Sequence, residues 1–171
     1  MSEYQYVEFR AVDRPLTAAE LKFAQKQSTR AEISRWSFQN EYHFGDFRGD
    51  VNSMLRHGYD VHLHYANFGM RTATFRLPAG LPFPKPLWSK YIGTGGLAWY
   101  KDRKGRAGIV SLSPYQDTEE IDEIWNPGDY MDDMVEVRNR LVAGDLRALY
   151  VLWLCAAMDN QSVDPDIVEP P

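Results

Sequence analysis

Residues 59–77 constrain this chain more tightly than any other stretch. Tyr59, Val61, Leu63 and Tyr65 alternate with Asp60, His62, His64 and Ala66. After Asn67-Phe68-Gly69 the alternation resumes, with Arg71, Ala73, Phe75 and Leu77 against Met70, Thr72, Thr74 and Arg76. A period of two marks a β-strand, because successive side chains point to opposite faces of a sheet. Two such runs joined by a short turn predict a hairpin, and the side chains fix its register. A three-residue loop sets Val61 opposite Phe75, Leu63 opposite Ala73, His62 opposite Thr74 and Asp60 opposite Arg76, with Gly69 free to take the left-handed conformation. A two-residue loop would set apolar side chains opposite polar ones.

Other segments repeat the pattern. In residues 4–12, Gln5, Val7, Phe9 and Ala11 share one face, and Tyr4, Tyr6, Glu8 and Arg10 the other. In residues 31–44, Trp36, Phe38, Tyr42 and Phe44 alternate with Arg35, Ser37, Gln39, Glu41 and His43. A second hairpin is predicted where Leu97-Ala98-Trp99-Tyr100 and Gly108-Ile109-Val110-Ser111-Leu112 flank Asp102-Arg103-Lys104-Gly105.

Helices are marked by their ends. Thr17 and Glu20 form a capping box, with Leu16 and Leu21 as its hydrophobic staple, which predicts a helix from Ala18 to about Ser28. Asp50 caps a short helix, Val51 to Arg56, that stops at Gly58. Pro78, Pro82, Pro84 and Pro86 stiffen an extended connection, and a short helix follows from Leu87 to Tyr91. Residues 117–129 are acidic and contain Pro127-Gly128, predicting an irregular segment or one helical turn. Met131, Met134, Val135, Arg138, Leu141 and Val142 fall on one helical stripe. Gly144 ends it and Asp145 can cap the last helix. That helix is apolar nearly all round, so burial is expected, with Cys155 as a core thiol.

The order β-α-β-α-β-β, then a hairpin, then two C-terminal helices, predicts an α+β fold: a mainly antiparallel sheet with helices on one face. The 171 residues, 44% hydrophobic and 25% charged, suit one globular domain over residues 1–160, with 161–171 of linker composition. One cysteine excludes an intrachain disulfide and a cysteine-ligated zinc, and suits a reducing compartment. No signal-peptide pattern opens the chain, and the longest apolar run, Ala148 to Met158, is too short to span a bilayer. A cytoplasmic location with no membrane partner is expected. Charge is uneven: residues 1–116 carry 16 Lys+Arg against 10 Asp+Glu, and residues 117–171 carry 3 against 14. Packing of the acidic part against the basic part is the simplest reading.

The strings Tyr4-Gln-Tyr-Val-Glu-Phe-Arg-Ala-Val-Asp-Arg-Pro-Leu-Thr17, Asn40-Glu-Tyr-His-Phe-Gly-Asp-Phe-Arg-Gly49 and Gly144-Asp-Leu-Arg-Ala-Leu-Tyr150, with the Glu169-Pro-Pro ending, carry a resemblance. The chain resembles the N-terminal region of an uncharacterised family of bacterial proteins. The resemblance implies a bacterial cytoplasmic protein with room to continue past Pro171, and it implies no activity. It does not include His62 and His64 as a family mark.

Three chemistries compete. His62 and His64, two apart on a strand, project from one face, and with His43 and Asp46 they are the candidate metal ligands of a metal-dependent hydrolase. The plain alternative for the two histidines is a solvent-facing strand surface. Nucleic-acid binding would use scattered arginines and aromatics on the sheet, but the net charge of −5 disfavours it. Gly93-Thr94-Gly95-Gly96 lacks the lysine of a phosphate loop, and no nucleophile motif is present. The expectation is therefore a non-enzymatic protein-interaction or assembly domain without a cofactor, using Phe47, Arg48, Phe68, Arg71 and Arg76 toward a protein partner.

Overall fold

A computed structural model of the chain describes residues 3–93, 96–101, 108–113 and 126–159. The turn expected at 102–105 and most of the acidic segment 117–129 lie outside the described residues.

Among the described residues seven strands form one antiparallel sheet: β1 (Gln5–Arg10), β2 (Glu32–Ile33), β3 (Ser37–Tyr42), β4 (Val61–Ala66), β5 (Arg71–Leu77), β6 (Leu97–Tyr100) and β7 (Gly108–Leu112). Their order is β2-β3-β1-β4-β5-β7-β6. The central hairpin has the register its side chains demand, with Val61 opposite Phe75, His62 opposite Thr74 and Leu63 opposite Ala73. Its loop is three residues long: the Ala66 N–H donates to the Met70 carbonyl at 2.7 Å, and Gly69 takes φ +102°. The second hairpin pairs Leu97 with Leu112 and Trp99 with Val110. The short edge strand β2 adds to the expected order.

Five helices among the described residues accompany the sheet: α1 (Ala18–Gln25), α2 (Val51–Arg56), α3 (Lys85–Ser89), α4 (Tyr130–Val142) and α5 (Leu146–Asp159). The capping box at α1 is complete, with both Thr17 and Glu20 side chains bonded. The helix stops at Gln25, short of Ser28, because the last turn tightens: the Lys26 N–H donates to the Phe23 carbonyl and that of Gln27 to Ala24. Ser28 Oγ then accepts from the N–H groups of Arg30 and Ala31, starting a turn. Asp50 caps α2 by accepting the Ser53 N–H at 2.6 Å. Helix α3 begins two residues before the expected Leu87, because Pro86 fits the first turn, where no N–H is needed. A single 3₁₀ turn, Pro127–Asp129, leads into α4.

Helices cover both faces of the sheet, not one. Alternation along the strands supplies two apolar faces, and each is closed separately. Val7, Phe9, Phe38 and Ile109 pack with Leu16 and Ala24 of the α1 region and with Met54 and Leu55 of α2. Val61, Phe75, Leu77, Val110 and Leu112 pack with Met131 and Leu141 of α4 and with Leu149, Leu152 and Trp153 of α5. Ile109 and Val110 are neighbours on β7 yet belong to different cores. Gly144 turns the chain from α4 to α5 at φ +90°, and a Cβ there would meet the Pro82 ring at 2.6 Å.

Cys155 is exposed, which corrects the expectation of a core thiol. The buried stripe of α5 is Ala148, Leu149, Leu152, Trp153, Ala156 and Ala157. Val151 and Cys155, four apart, fall on the outward side, so hydrophobic composition all round did not mean burial all round.

Where β1 ends, the two cores are separated by charge. The Asp60 carboxylate is fully buried. One oxygen accepts the backbone N–H groups of Val12 (2.7 Å) and Asp13 (3.0 Å). The other accepts Arg76 Nε at 3.0 Å and also meets Arg76 Nη2. Arg138, buried in the stripe of α4, donates Nε to the Arg76 carbonyl at 2.7 Å and holds Asp13 through two bonds of 2.9 and 2.7 Å. Removing one partner of a buried ion network strands the others. Arg138→Met should therefore cost about 3 kcal/mol or more in urea unfolding. Arg140→Met, which breaks only the exposed pair with Glu136, should cost less than about 0.5 kcal/mol. Equal costs for the two would contradict this assignment.

Candidate functional site

The end of the sheet opposite this ion network gathers Gln5, Asp46 and the exposed side chains of two turns. Gln5 opens β1 beside Tyr42 of β3 and Ala66 of β4. The turn after β3 and the β4–β5 turn are therefore neighbours. Direct bonds hold them there: Gln5 Nε2 donates to the Gly45 carbonyl at 3.3 Å, and the Asn67 N–H donates to the Tyr4 carbonyl at 3.0 Å.

His62 and His64 do project from one face, with ring centroids 6.3 Å apart. They do not form a solvent-facing surface. His62 is 2% exposed and lies against the Phe9 ring at 4.5 Å. Its Nδ1 stands 3.5 Å from Thr74 Oγ1, and its Nε2 is buried without a hydrogen-bond partner among the described residues. Burial, with a smaller contribution from His64, lowers its pKa to about 3, so the ring stays neutral. Burial also lowers the His64 pKa, against the opposing pull of the Asp46 carboxylate.

The bonding of Gln5 fixes the His64 tautomer. The Gln5 amide NH₂ faces acceptors on Glu3, Gly45 and Asp46, so its carbonyl oxygen is the atom 2.8 Å from His64 Nε2. That nitrogen must carry the proton, and Nδ1 keeps the lone pair. His64 and Asp46 are thus linked through Gln5, while His43 stands apart, tilted against the Tyr4 ring with centroids 5.6 Å apart. Among the described residues no group of three His, Cys, Asp or Glu side chains is placed to hold a metal ion.

The candidate partner-binding residues divide. Arg76 is buried in the ion network. Phe47 covers the core, 5.5 Å from Phe9 and 5.7 Å from Phe38. Arg48 is exposed. Phe68 sits at the tip of the central hairpin, 50% exposed. Two residues outside the candidate set join it: Phe44, at 85% exposed, and Met70, at 41%. In the sequence Phe44 belonged to an alternating strand pattern, but Gly45 at φ +85° turns the chain after His43 and leaves the ring outside the sheet.

Arg71 points the other way, toward α4. It borders a cavity of about 270 Å³ walled by Leu63, Tyr65, Ala73, Leu112 and Met134. Its Nε is buried without a hydrogen-bond partner among the described residues. A buried donor left unmade costs about 1–3 kcal/mol, so this atom is primed for an acceptor.

No family model, curated protein or solved structure matches the chain.

The neutral state of His62 has a measurable consequence. The unfolded chain binds a proton near pH 6.5, whereas the folded chain binds it only near pH 3. Between those values the unfolded state holds more protons, so stability is complete above pH 6.5 and falls as the pH drops. From pH 6.5 to about 5, above the carboxylate range, the stability of the wild-type chain should fall with a slope approaching about 1.4 kcal/mol per pH unit. In His62→Gln that slope should drop clearly, leaving the part that His64, also lowered by burial, contributes. An identical acid slope in both proteins, measured by urea titration, would show that His62 is not the group responsible.

Proposed function

We propose that the chain is a non-enzymatic protein-interaction domain of a bacterial cytoplasmic protein, and that it docks its partner at the sheet end formed by the β3 and β4–β5 turns. One observation carries this reading: Phe44, Phe68 and Met70, three large apolar side chains, stand exposed on adjacent turns. Scattered single exposures need no explanation, but a local group of them is the usual mark of an association surface. Phe and Met also suit such a surface, because they bury much area per residue and adapt in shape.

The partner this end fits has apolar anchors and acidic groups. Arg48 lies exposed four residues beyond Phe44, within the part of the chain where cationic residues outnumber acids. A cytoplasmic setting is supported by the single, exposed cysteine and by the family resemblance; no helix among the described residues is long and apolar enough to cross a membrane. Single-strand nucleic-acid binding has less support. Arg76 is spent on Asp60, Phe47 is packed on the core, and helices occupy both faces where bases would stack.

The test is co-purification from the native host, comparing wild type with the double variant Phe44→Ser, Phe68→Ser. Loss of an anchoring aromatic costs about 2 kcal/mol or more, so the double variant should lose a stoichiometric partner while its unfolding midpoint stays within a few degrees. Equal recovery of the partner, or a wild-type chain that elutes alone, would contradict the proposal.

A further inference from the structure

The cavity beside Arg71 has features that partner docking does not use. It lies between the central hairpin and α4, on the face of the sheet that carries Leu63, Tyr65 and Ala73. Leu63, Tyr65, Ala73, Leu112 and Met134 give it an apolar wall, and among the described residues Arg71 is the one charged side chain lining it. His64, which also touches it, has its proton affinity lowered by burial. Among the described residues the cavity therefore has a cationic group and no anion opposite it.

Arg71 makes no hydrogen bond or ion pair with any described residue, and its Nε is out of contact with water. Arg76 and Arg138, which are both buried, are used differently. They have carboxylates directly opposite them. A guanidinium held at the edge of an apolar cavity without a counter-ion is suited to a planar two-oxygen acceptor, which it can meet through two parallel N–H bonds. The size of the cavity sets the rest. An apolar cavity of about 150 Å³ holds a benzene ring, so 270 Å³ accommodates one ring and a short chain.

We infer that this cavity is a binding site for a small carboxylate with an apolar body, its ring or short chain lying among Leu63, Ala73, Leu112 and Met134 and its carboxylate on Arg71. Binding is by ion pairing and burial of apolar surface, with no covalent step. Tyr130, exposed at the start of α4, borders the opening.

The probe is 3-phenylpropionate, compared with the neutral 3-phenylpropan-1-ol of nearly the same shape. Both are titrated into the whole chain, and the methyl resonances of Ala73 and Met134 are followed by NMR. The acid should bind at least roughly tenfold more tightly than the alcohol, the preference expected when a charge-assisted bond replaces a neutral one. Arg71→Gln should remove that preference by weakening the acid roughly tenfold and leaving the alcohol unchanged. Met134→Trp, which fills the cavity from the helix side and keeps Arg71, should abolish saturable binding of both. Equal affinities for acid and alcohol, acid binding indifferent to Arg71→Gln, binding that survives Met134→Trp, or no saturation at about 20 mM probe would each overturn the inference. These readouts use the isolated chain and a small molecule, so they stand apart from the fate of partner docking.

Discussion

The buried carboxylate of Asp60 coordinates this fold. Asp60 lies just before β4, with both oxygens out of water. Such a charge is tolerated only when its hydrogen-bonding capacity is met from several sides. The chain just past β1 supplies two backbone N–H groups, β5 supplies the Arg76 guanidinium, and α4 brings Arg138, whose Nη2 comes within 3.5 Å. Each of these groups belongs to a different part of the chain. A slip of one residue in β5 would send Arg76 to the opposite face and leave Asp60 buried with its main cation gone. The network therefore ties strand register and helix placement together. Arg138 extends it to the Asp13 carboxylate and the Arg76 carbonyl, so the layer beyond the sheet is fixed by the same set of bonds.

The two ends of the sheet consequently differ. At the end where β1 leaves and β4 begins, charge locks three strands and a helix. At the other end, where β1 starts and the hairpin turns, the backbone is held by Gln5 and Asn67 while aromatic side chains stand in water. A rigid body with one open rim suits recognition, because little conformational entropy is lost when a partner binds a preformed surface. The two-sided covering of the sheet has a similar consequence. It covers much of both broad faces and leaves the rim and the cavity beside Arg71 accessible.

Much of this arrangement was legible in the sequence. The register of the central hairpin followed from matching Val61 with Phe75 and His62 with Thr74, and the capping box at Thr17 located the start of α1. These signals are local, so they survive folding unchanged. Arg138 already stood on the apolar stripe of α4, a hint that it would be internal. What was not legible depends on distant contacts. Alternation in β1 and β7 shows that two faces exist but not that both are covered, which required knowing where α1, α2, α4 and α5 pack. Cys155 looked internal because its neighbours are apolar, yet its angular position on α5 faces outward. The link from His64 to Asp46 through Gln5 joins residues 41 and 59 positions apart, beyond any spacing rule. Phe44 was masked by a strand pattern that Gly45 interrupts.

Native-state hydrogen exchange at the amides of Val12 and Asp13 tests the central role of Asp60 most directly. Both residues lie beyond β1 and outside any helix, where exchange normally proceeds by small local openings. If their N–H groups are held by a carboxylate that the whole fold keeps in place, they should exchange only through global unfolding, with the same free energy as the Val7 and Phe9 amides in the sheet. Exchange of Val12 and Asp13 at the rate of an ordinary surface loop, with β1 still protected, would show that the network decorates the fold and does not organise it.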